Sequence, residues 1–371
     1  MFLSISMRSI IRHLVAVVVL FVGGVFSLSA QELRLGVDFI TLFDNKEYAS
    51  MSYDESGTLF SSRLTPKFGV AWADNNELMF AVDMVQDFGH HAKFLSDVNV
   101  ELYYAYRSTN LNIFAGIFPR QEMRGLQSPL FFDRSYRYYN NRIGGVLARY
   151  EDPNFGDSYV EFAMDYTGMR DFDTREAFMI MSSGRMPVRW FYMGYDFLMG
   201  HYAKDYNPDT DDGVVDNLLL TPYIGFNLSA PTAVRALNFD FRFSYVQSMQ
   251  RDRAHENVWQ FPMGGELYAE VEWYDVRLSN RLYMGVGSLY TYYDRYGSEL
   301  YHGQPMYRTE KGIYDAISLS YLHSFFERTV SVEAGITVEY DGTGWGTRQW
   351  LQLNVDLDYG INLERRQQYV E

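Results

Sequence analysis

The sequence has no cysteine, few basic residues and no long apolar run after its first 26 residues. The absence of cysteine excludes disulfides, thiolate metal or redox chemistry and lipid attachment to an N-terminal cysteine. Lysine and arginine number 32 against 47 acidic residues, which gives a formal net charge of −15. So acidic a chain is a poor match for a phosphate backbone, and we predict no nucleic-acid partner. We also predict no cofactor.

The first 30 residues have the pattern of a secretory signal peptide. Arg8 and Arg12 precede an apolar run at 14–26, and the small residues Ser27, Ser29 and Ala30 follow it. The run is shorter than the ~20 residues that a membrane-spanning helix needs. We therefore predict a cleaved leader at 1–30 and one exported domain at 31–371.

The segment 351–363 alternates apolar and polar residues without interruption. Its odd-numbered residues are Leu, Val, Tyr or Ile, and its even-numbered positions include Gln352, Asn354, Asp356 and Asp358. Successive side chains of a strand point to opposite faces, so this strand has one apolar and one polar face. The same pattern returns at 239–245 and 330–340. A closed barrel in lipid produces it, and so does a soluble sandwich, so the connections must decide.

The pattern divides the chain into up to sixteen strands, although twelve or fourteen are also compatible with it. We predict strands at 32–43, 58–72, 77–87, 96–108, 110–118, 142–151, 158–167, 174–184, 187–200, 217–228, 235–248, 264–278, 281–293, 312–326, 329–341 and 349–363. Short connections, such as 184–186 and 279–280, alternate with long ones such as 119–141 and 294–311. Outer-membrane barrels have short periplasmic turns and longer outer loops, so the alternation also orients the chain.

With these features the sequence resembles a Gram-negative outer-membrane porin, although no signature fixes one porin family. The resemblance implies an all-β fold, a single antiparallel transmembrane β-barrel of about sixteen strands, in the outer membrane. It also implies outer-membrane lipid as a partner, passage of small hydrophilic solutes, and a homo-oligomer as one possible assembly. One departure is the tail 364–371, because the last strand of such barrels normally ends the chain.

The third long connection, 119–141, is rich in arginine and aromatic residues. In general porins, the resemblance implies, this loop folds inward and narrows the channel, and guanidinium groups there would attract carboxylate or phosphate solutes. A solvated surface loop is the equal alternative, and an aromatic track for a sugar is a third. The candidate constriction residues are Arg120, Arg124, Arg134, Arg137, Phe131, Phe132 and Tyr136.

The predicted inward face carries many more acids than bases. Because so few bases cannot pair all these acids in a filled barrel, we predict a hydrated lumen with a modest preference for cations. The candidate lumen-wall residues are Lys67, Glu101, Arg107, Glu161, Asp165, Asp240, Arg242, Glu270, Glu272, Arg281, Glu333, Glu339, Asp356 and Asp358. The opposite face of the clearest strands has no charge, as a lipid environment requires.

The sequence contains no recognisable catalytic or metal-binding motif. There is no Gly-x-Ser-x-Gly elbow, His90 and His91 lack zincin spacing, and 205–212 lacks the glycine and glutamate of a calcium loop. We therefore predict no metal site and a protein that is not an enzyme but a porin-like channel for passive diffusion of small hydrophilic solutes. The alternatives are a non-conducting scaffold for a surface or secretion complex and, less favoured, a barrel enzyme.

Overall fold

The chain forms a closed antiparallel β-barrel of sixteen strands. A computed structural model describes residues 32–207, 213–229 and 237–362. Each strand pairs with its neighbours in sequence, and β1 also pairs with β16, which closes the barrel. The strands are β1 Glu32–Glu47, β2 Gly57–Trp72, β3 Asn76–Asp87, β4 Asp97–Arg107, β5 Leu111–Pro119, β6 Arg142–Asp152, β7 Ser158–Gly168, β8 Ala177–Val188, β9 Phe191–Tyr202, β10 Val215–Ser229, β11 Leu237–Asp252, β12 Met263–Trp273, β13 Val276–Val286, β14 Ile313–Phe325, β15 Val330–Tyr340 and β16 Trp345–Asn362. The predicted fold class and strand number are confirmed.

The few helical segments lie in the connections. Helix α1 spans Arg134–Tyr139 and helix α2 spans Tyr293–Leu300, with a kink at Gly297. Short 3₁₀ turns occupy Arg120–Glu122, Pro153–Phe155, Pro305–Arg308 and Phe326–Arg328. None of the helices within the described residues is long and apolar enough to cross a membrane.

The two faces of each strand differ as the alternation predicts. On β11, Phe243 and Tyr245 are 44% and 40% exposed, whereas the alternate residues Ser244 and Val246 are 4% and 1% exposed. Since the barrel is closed, the exposed set faces outward and the buried set faces the interior. The outward set of β11 is apolar from Leu237 to Tyr245, which suits contact with lipid.

Two predicted turns are displaced. The turn between β8 and β9 lies at Arg189 and Trp190 instead of 184–186, and that between β12 and β13 lies at Tyr274 and Asp275 instead of 279–280. Arg189 and Tyr274 have positive φ angles of 58° and 51°, a conformation that side chains other than Gly and Asn rarely adopt. The first turn therefore has no residue typical of turns and the second has Asp275 alone, so neither stands out in the sequence. The predicted leader 1–30 and the tail 364–371 lie outside the described residues.

Candidate functional site

The third long connection folds into the barrel. The Arg120 guanidinium lies 2.5 Å from Asp165 on β7, and the Leu126 amide donates to Asp196 on β9 at 2.9 Å. The Arg134 guanidinium lies 3.6 Å from Glu333 on β15. Because β7, β9 and β15 belong to different sides of the barrel, the segment crosses the interior between them.

A second inward segment, residues 287–312, packs against the first. The Asp133 amide donates to the His302 carbonyl at 2.8 Å, and the Tyr290 hydroxyl donates to the Leu130 carbonyl at 2.6 Å. A Cβ at Gly303 would lie 2.1 Å from the Leu130 carbonyl oxygen, so only glycine permits this approach. Most of this segment was predicted to be an outer loop, at 294–311. Its repeated tyrosines are the signal that could have indicated burial.

The two segments form an apolar cluster inside the barrel. Among its members Leu126 and Leu130 are 1% exposed and Met306 is 0% exposed. The cluster also contains Met123, Phe131, Phe132, Leu289, Tyr290, Leu300, Tyr301 and Tyr307. Side chains therefore fill the middle of the barrel interior. The prediction of a hydrated lumen does not hold at this level of the barrel.

The candidate constriction residues divide between this packed layer and its borders. Phe131 and Phe132 are buried, and the Arg137 guanidinium donates to the Leu126 carbonyl at 2.6 Å. The Arg124 guanidinium lies 2.7 Å from Glu151 on β6. Arg120 is buried in its ion pair, Arg134 lies 4.7 Å from the ring centre of Trp350, and Tyr136 stacks on His302. Most of the candidate constriction residues therefore hold the inward loop in place through packing, hydrogen bonds and ion pairs.

The candidate lumen-wall residues lie on the inward faces of their strands, and most have partners there. Lys67 lies 2.6 Å from Asp38, the Arg107 guanidinium 2.8 Å from Glu122, and the Arg281 guanidinium pairs with Glu266. The remaining inward-facing positions are Glu101, Glu161, Asp165, Asp240, Arg242, Glu270, Glu272, Glu333, Glu339, Asp356 and Asp358.

Many inward acids are satisfied by donors other than bases. The Glu161 carboxylate accepts from the Arg124 and Gly125 amides at 3.1 and 2.6 Å. The Glu339 carboxylate accepts from the Tyr314 hydroxyl at 2.9 Å. Because amide and hydroxyl groups also satisfy carboxylates, an excess of acids over arginine and lysine does not require an unfilled interior.

Cavities remain on both sides of the packed layer. The cavity on the side of the long connections has a volume of about 790 Å³, and that on the side of the short turns about 690 Å³. They share no lining residue. The first is bordered by Arg120, Tyr136, Arg142, Asp165, Tyr202 and His302, and the second by Asp38, Lys67, Glu77, Arg107, Asp356 and Asp358.

A carboxylate and an imidazole pair at the rim formed by the long connections. Asp252 ends β11 and is 0% exposed, and its Oδ2 lies 2.9 Å from Nδ1 of His255, whose side chain is 33% exposed. The Tyr296 hydroxyl donates to the same oxygen at 2.6 Å, and the Arg295 guanidinium also contacts it. Since a carboxylate only accepts, Nδ1 of a neutral His255 carries the proton.

This arrangement leaves Nε2 of neutral His255 as an acceptor. Among the described residues, Nε2 has no hydrogen-bond partner. A histidine whose Nδ1 is fixed by a carboxylate and whose Nε2 is free can remove a proton from water or a hydroxyl. No catalytic sequence motif surrounds His255. An aspartate three residues before a histidine at a strand end was the available signal.

The other histidines are less suited to this chemistry. Burial and the nearby Arg120 guanidinium lower the pKa of His302 to about 4, so it is neutral at pH 7 but weakly basic. His323 pairs with Asp275 at 2.7 Å, but on the outward face at the short-turn end. His201 stacks on Phe178, and His90 packs against the neighbouring His91.

Comparison with protein families assigns the chain to one family. The model of the lipid A 3'-O-deacylase-type family matches residues 26–369, almost the whole chain. The chain belongs to the lipid A 3'-O-deacylase-type family. This is an enzyme family, so the prediction that the protein is not an enzyme is wrong. No curated protein matches the sequence.

Solved structures with TM-scores of at least 0.50 share the barrel fold. A loop-deletion mutant of OmpT, an outer membrane protein of Vibrio cholerae, is 11% identical with a TM-score of 0.53 over 88% of this chain and 99% of that chain. In-vitro folded OmpT in its trimer form is 9% identical with a TM-score of 0.50 over 87% and 98%. OpdK of Pseudomonas aeruginosa is 8% identical with a TM-score of 0.42 over 88% and 99%. The protein is an outer-membrane β-barrel, and membrane lipid surrounds it, as predicted.

Proposed function

We propose that the protein hydrolyses an acyl ester of an outer-leaflet glycolipid, with His255 as general base and Asp252 as the residue that orients it. The carrying observation is the Asp252–His255 pair at the outer rim, in which Nδ1 is bound and Nε2 has no partner among the residues that the structure describes. The name of the family supplies the substrate class, since lipid A is an acylated glycolipid. The packed interior supports a role at the rim over a role inside the barrel.

The height of the pair in the membrane suits this reaction. The outward apolar face of β11 begins near Phe239, and Asp252 lies at the other end of the strand. With ~3.4 Å per residue and a tilt of ~40°, that interval rises roughly 34 Å along the membrane normal. The apolar band of such barrels is about 25 Å tall, so the pair lies near the lipid headgroups, where acyl esters begin.

The chemistry requires water and one proton carrier. Nε2 of His255 takes a proton from a water molecule as the water oxygen bonds to the ester carbonyl carbon. The negative oxygen that forms is favoured by the positive charge of Arg295, whose guanidinium contacts Asp252 beside His255. The bond from that carbon to the sugar oxygen then breaks, and His255 returns the proton to the leaving oxygen. The products are a fatty acid and a free sugar hydroxyl.

The opposite rim provides a matched control for the test. His323→Gln removes an imidazole that also pairs through Nδ1 with an aspartate, but at the short-turn end. Folded wild-type protein should release fatty acid from lipid A vesicles, as measured by mass spectrometry. We expect His255→Gln to slow the release by about 10² to 10⁴, the usual contribution of a general base, and His323→Gln to leave it unchanged. Full activity in His255→Gln would refute the assignment.

The second candidate function is passive diffusion of small hydrophilic solutes. The cavities of about 790 and 690 Å³ and the charged residues that line them favour it. The apolar cluster between the cavities opposes it, because a solute would have to displace buried side chains. Planar-bilayer recordings test this candidate, and steady conductance by the wild-type barrel would support it.

The trimer form of OmpT motivates one proposal about assembly. We propose that this barrel can form a homo-oligomer in the membrane. Chemical cross-linking in native outer membranes should give bands of defined multimers on a gel. A monomer band alone would refute the proposal.

A further inference from the structure

A cationic surface lies on the outside of the barrel beside the proposed active site. The register aligns His201 on β9, Asp216 on β10 and Arg251 on β11 in one row. On β11 the alternate residues Gln250 and Asp252 are fully buried, so Arg251 points outward. The row therefore faces lipid at the outer rim.

Two arginines share one carboxylate in this row. The Arg251 Nη2 lies 2.8 Å from Asp216 Oδ2, and the Arg253 Nη2 lies 2.6 Å from Asp216 Oδ1. Their side chains are 25% and 47% exposed, against 10% for Asp216. These three side chains together carry one net positive charge, although the chain as a whole is strongly acidic. Asp216 holds both guanidinium groups in fixed positions.

Exposed apolar side chains border the two arginines. The Arg251 guanidinium lies 4.6 Å from the ring centre of Trp259, and Trp259 stacks on Phe261. Phe261 and Val258 are 58% and 57% exposed. Aromatic residues and arginine occur together where a barrel meets the lipid headgroups. An outward arginine costs little at this level but several kcal/mol at the membrane midplane.

We propose that Arg251 and Arg253 form a binding surface for the phosphate groups of an outer-leaflet glycolipid. Guanidinium groups bind phosphate through paired N–H donors, and the neighbouring Trp259 and Phe261 suit the acyl chains of the same molecule. Binding at this surface places the lipid next to His255. The inference rests on the proposed function for the choice of lipid, but binding itself needs no hydrolysis.

Native mass spectrometry of the detergent-solubilised protein tests the surface. The probes are bisphosphorylated lipid A and the same lipid after removal of its phosphates, bound to the His255→Gln variant so that the lipid is not consumed. We expect the phosphorylated lipid to bind more tightly. Removing both charges by Arg251→Gln with Arg253→Gln should weaken its binding about tenfold or more, since charged hydrogen bonds are lost.

Two further variants separate recognition from a structural role. Arg189→Gln with Arg328→Gln removes the same charge at the short-turn end and should leave binding unchanged. Asp216→Asn frees the two guanidinium groups and should preserve or strengthen binding, whereas a merely structural clamp would be weakened by it. Equal binding of both lipids, or binding that survives the loss of Arg251 and Arg253, would overturn the proposal.

The outcomes also separate the surface from the reaction. If millimolar inorganic phosphate displaced the phosphorylated lipid from the surface, the surface would be a site for free phosphate. That result would overturn the assignment to lipid. Phosphate-dependent binding in a protein that releases no fatty acid would overturn the proposed function and leave this inference standing. If the variant with Arg251→Gln and Arg253→Gln hydrolysed lipid A with an unchanged KM, this inference would be overturned and the proposed function would stand.

Discussion

Replacing Phe132 with alanine should loosen the packed layer and open the barrel. Phe132 is 2% exposed, stacks on Tyr136 with 5.3 Å between ring centres, and lies under the guanidinium groups of Arg120 and Arg137 at 4.9 and 5.7 Å. Truncating a buried phenylalanine costs about 3 to 5 kcal/mol. Each cation–π contact contributes roughly 0.5 to 1 kcal/mol more.

These contacts hold the inward loop in place and do not support the pairing of the strands. The lost stabilising free energy should therefore favour local opening of the packed layer and leave the barrel folded. A change of about 4 kcal/mol raises the population of an open state by roughly 10³. Single-channel recording should therefore show rare openings in wild type and frequent ones in Phe132→Ala. Phe94→Ala is the control, because Phe94 is 84% exposed. A silent Phe132→Ala barrel that still shows the heat-dependent gel shift of a folded barrel would refute the reasoning.

Three other predictions concern stability. His302 has a pKa of about 4 in the folded protein against 6.5 unfolded, so the unfolded state binds more protons between these values and stability should fall by about 1 to 3 kcal/mol as pH drops from 6.5 to 4; melting curves should show this slope in wild type and lose it in His302→Phe. Asp44→Asn breaks the buried pair with Arg348 and should cost about 3 to 5 kcal/mol in urea unfolding, whereas Asp294→Asn, at a 92% exposed carboxylate, should change nothing measurable. Gly116 has a φ of +121°, and a Cβ there would lie 2.3 Å from a backbone carbonyl of β4, so Gly116→Ala should lower the yield of folded barrel in refolding, and a normal yield would contradict this strain.

The strand pattern was readable because each strand has one lipid face and one interior face. The alternation at 351–363 predicted the polar side of β16 that carries Asp356 and Asp358. Strand boundaries failed where turns contained few or no residues typical of turns. Tyr274 and Asp275 form the turn between β12 and β13, whereas Asn280, a typical turn residue, lies within β13.

The interior was harder to predict, because its contacts join residues far apart in sequence. Nothing local shows that Leu130 meets Tyr290, or that Glu161 accepts amide protons from the third connection. The candidate active site also depends in part on a contact between residues far apart in sequence. Asp252 and His255 are three residues apart, but Tyr296, which helps to fix the carboxylate, comes from the second inward segment.

The proposed hydrolysis can be tested most directly in water enriched in ¹⁸O. Purified wild-type protein is incubated with lipid A vesicles, and both products are weighed by mass spectrometry. We predict a lipid lighter by one acyl group and a released fatty acid that contains one ¹⁸O, since water supplies the new oxygen. An unchanged lipid, or an acyl group transferred to another lipid without ¹⁸O, would contradict the assignment of a hydrolase.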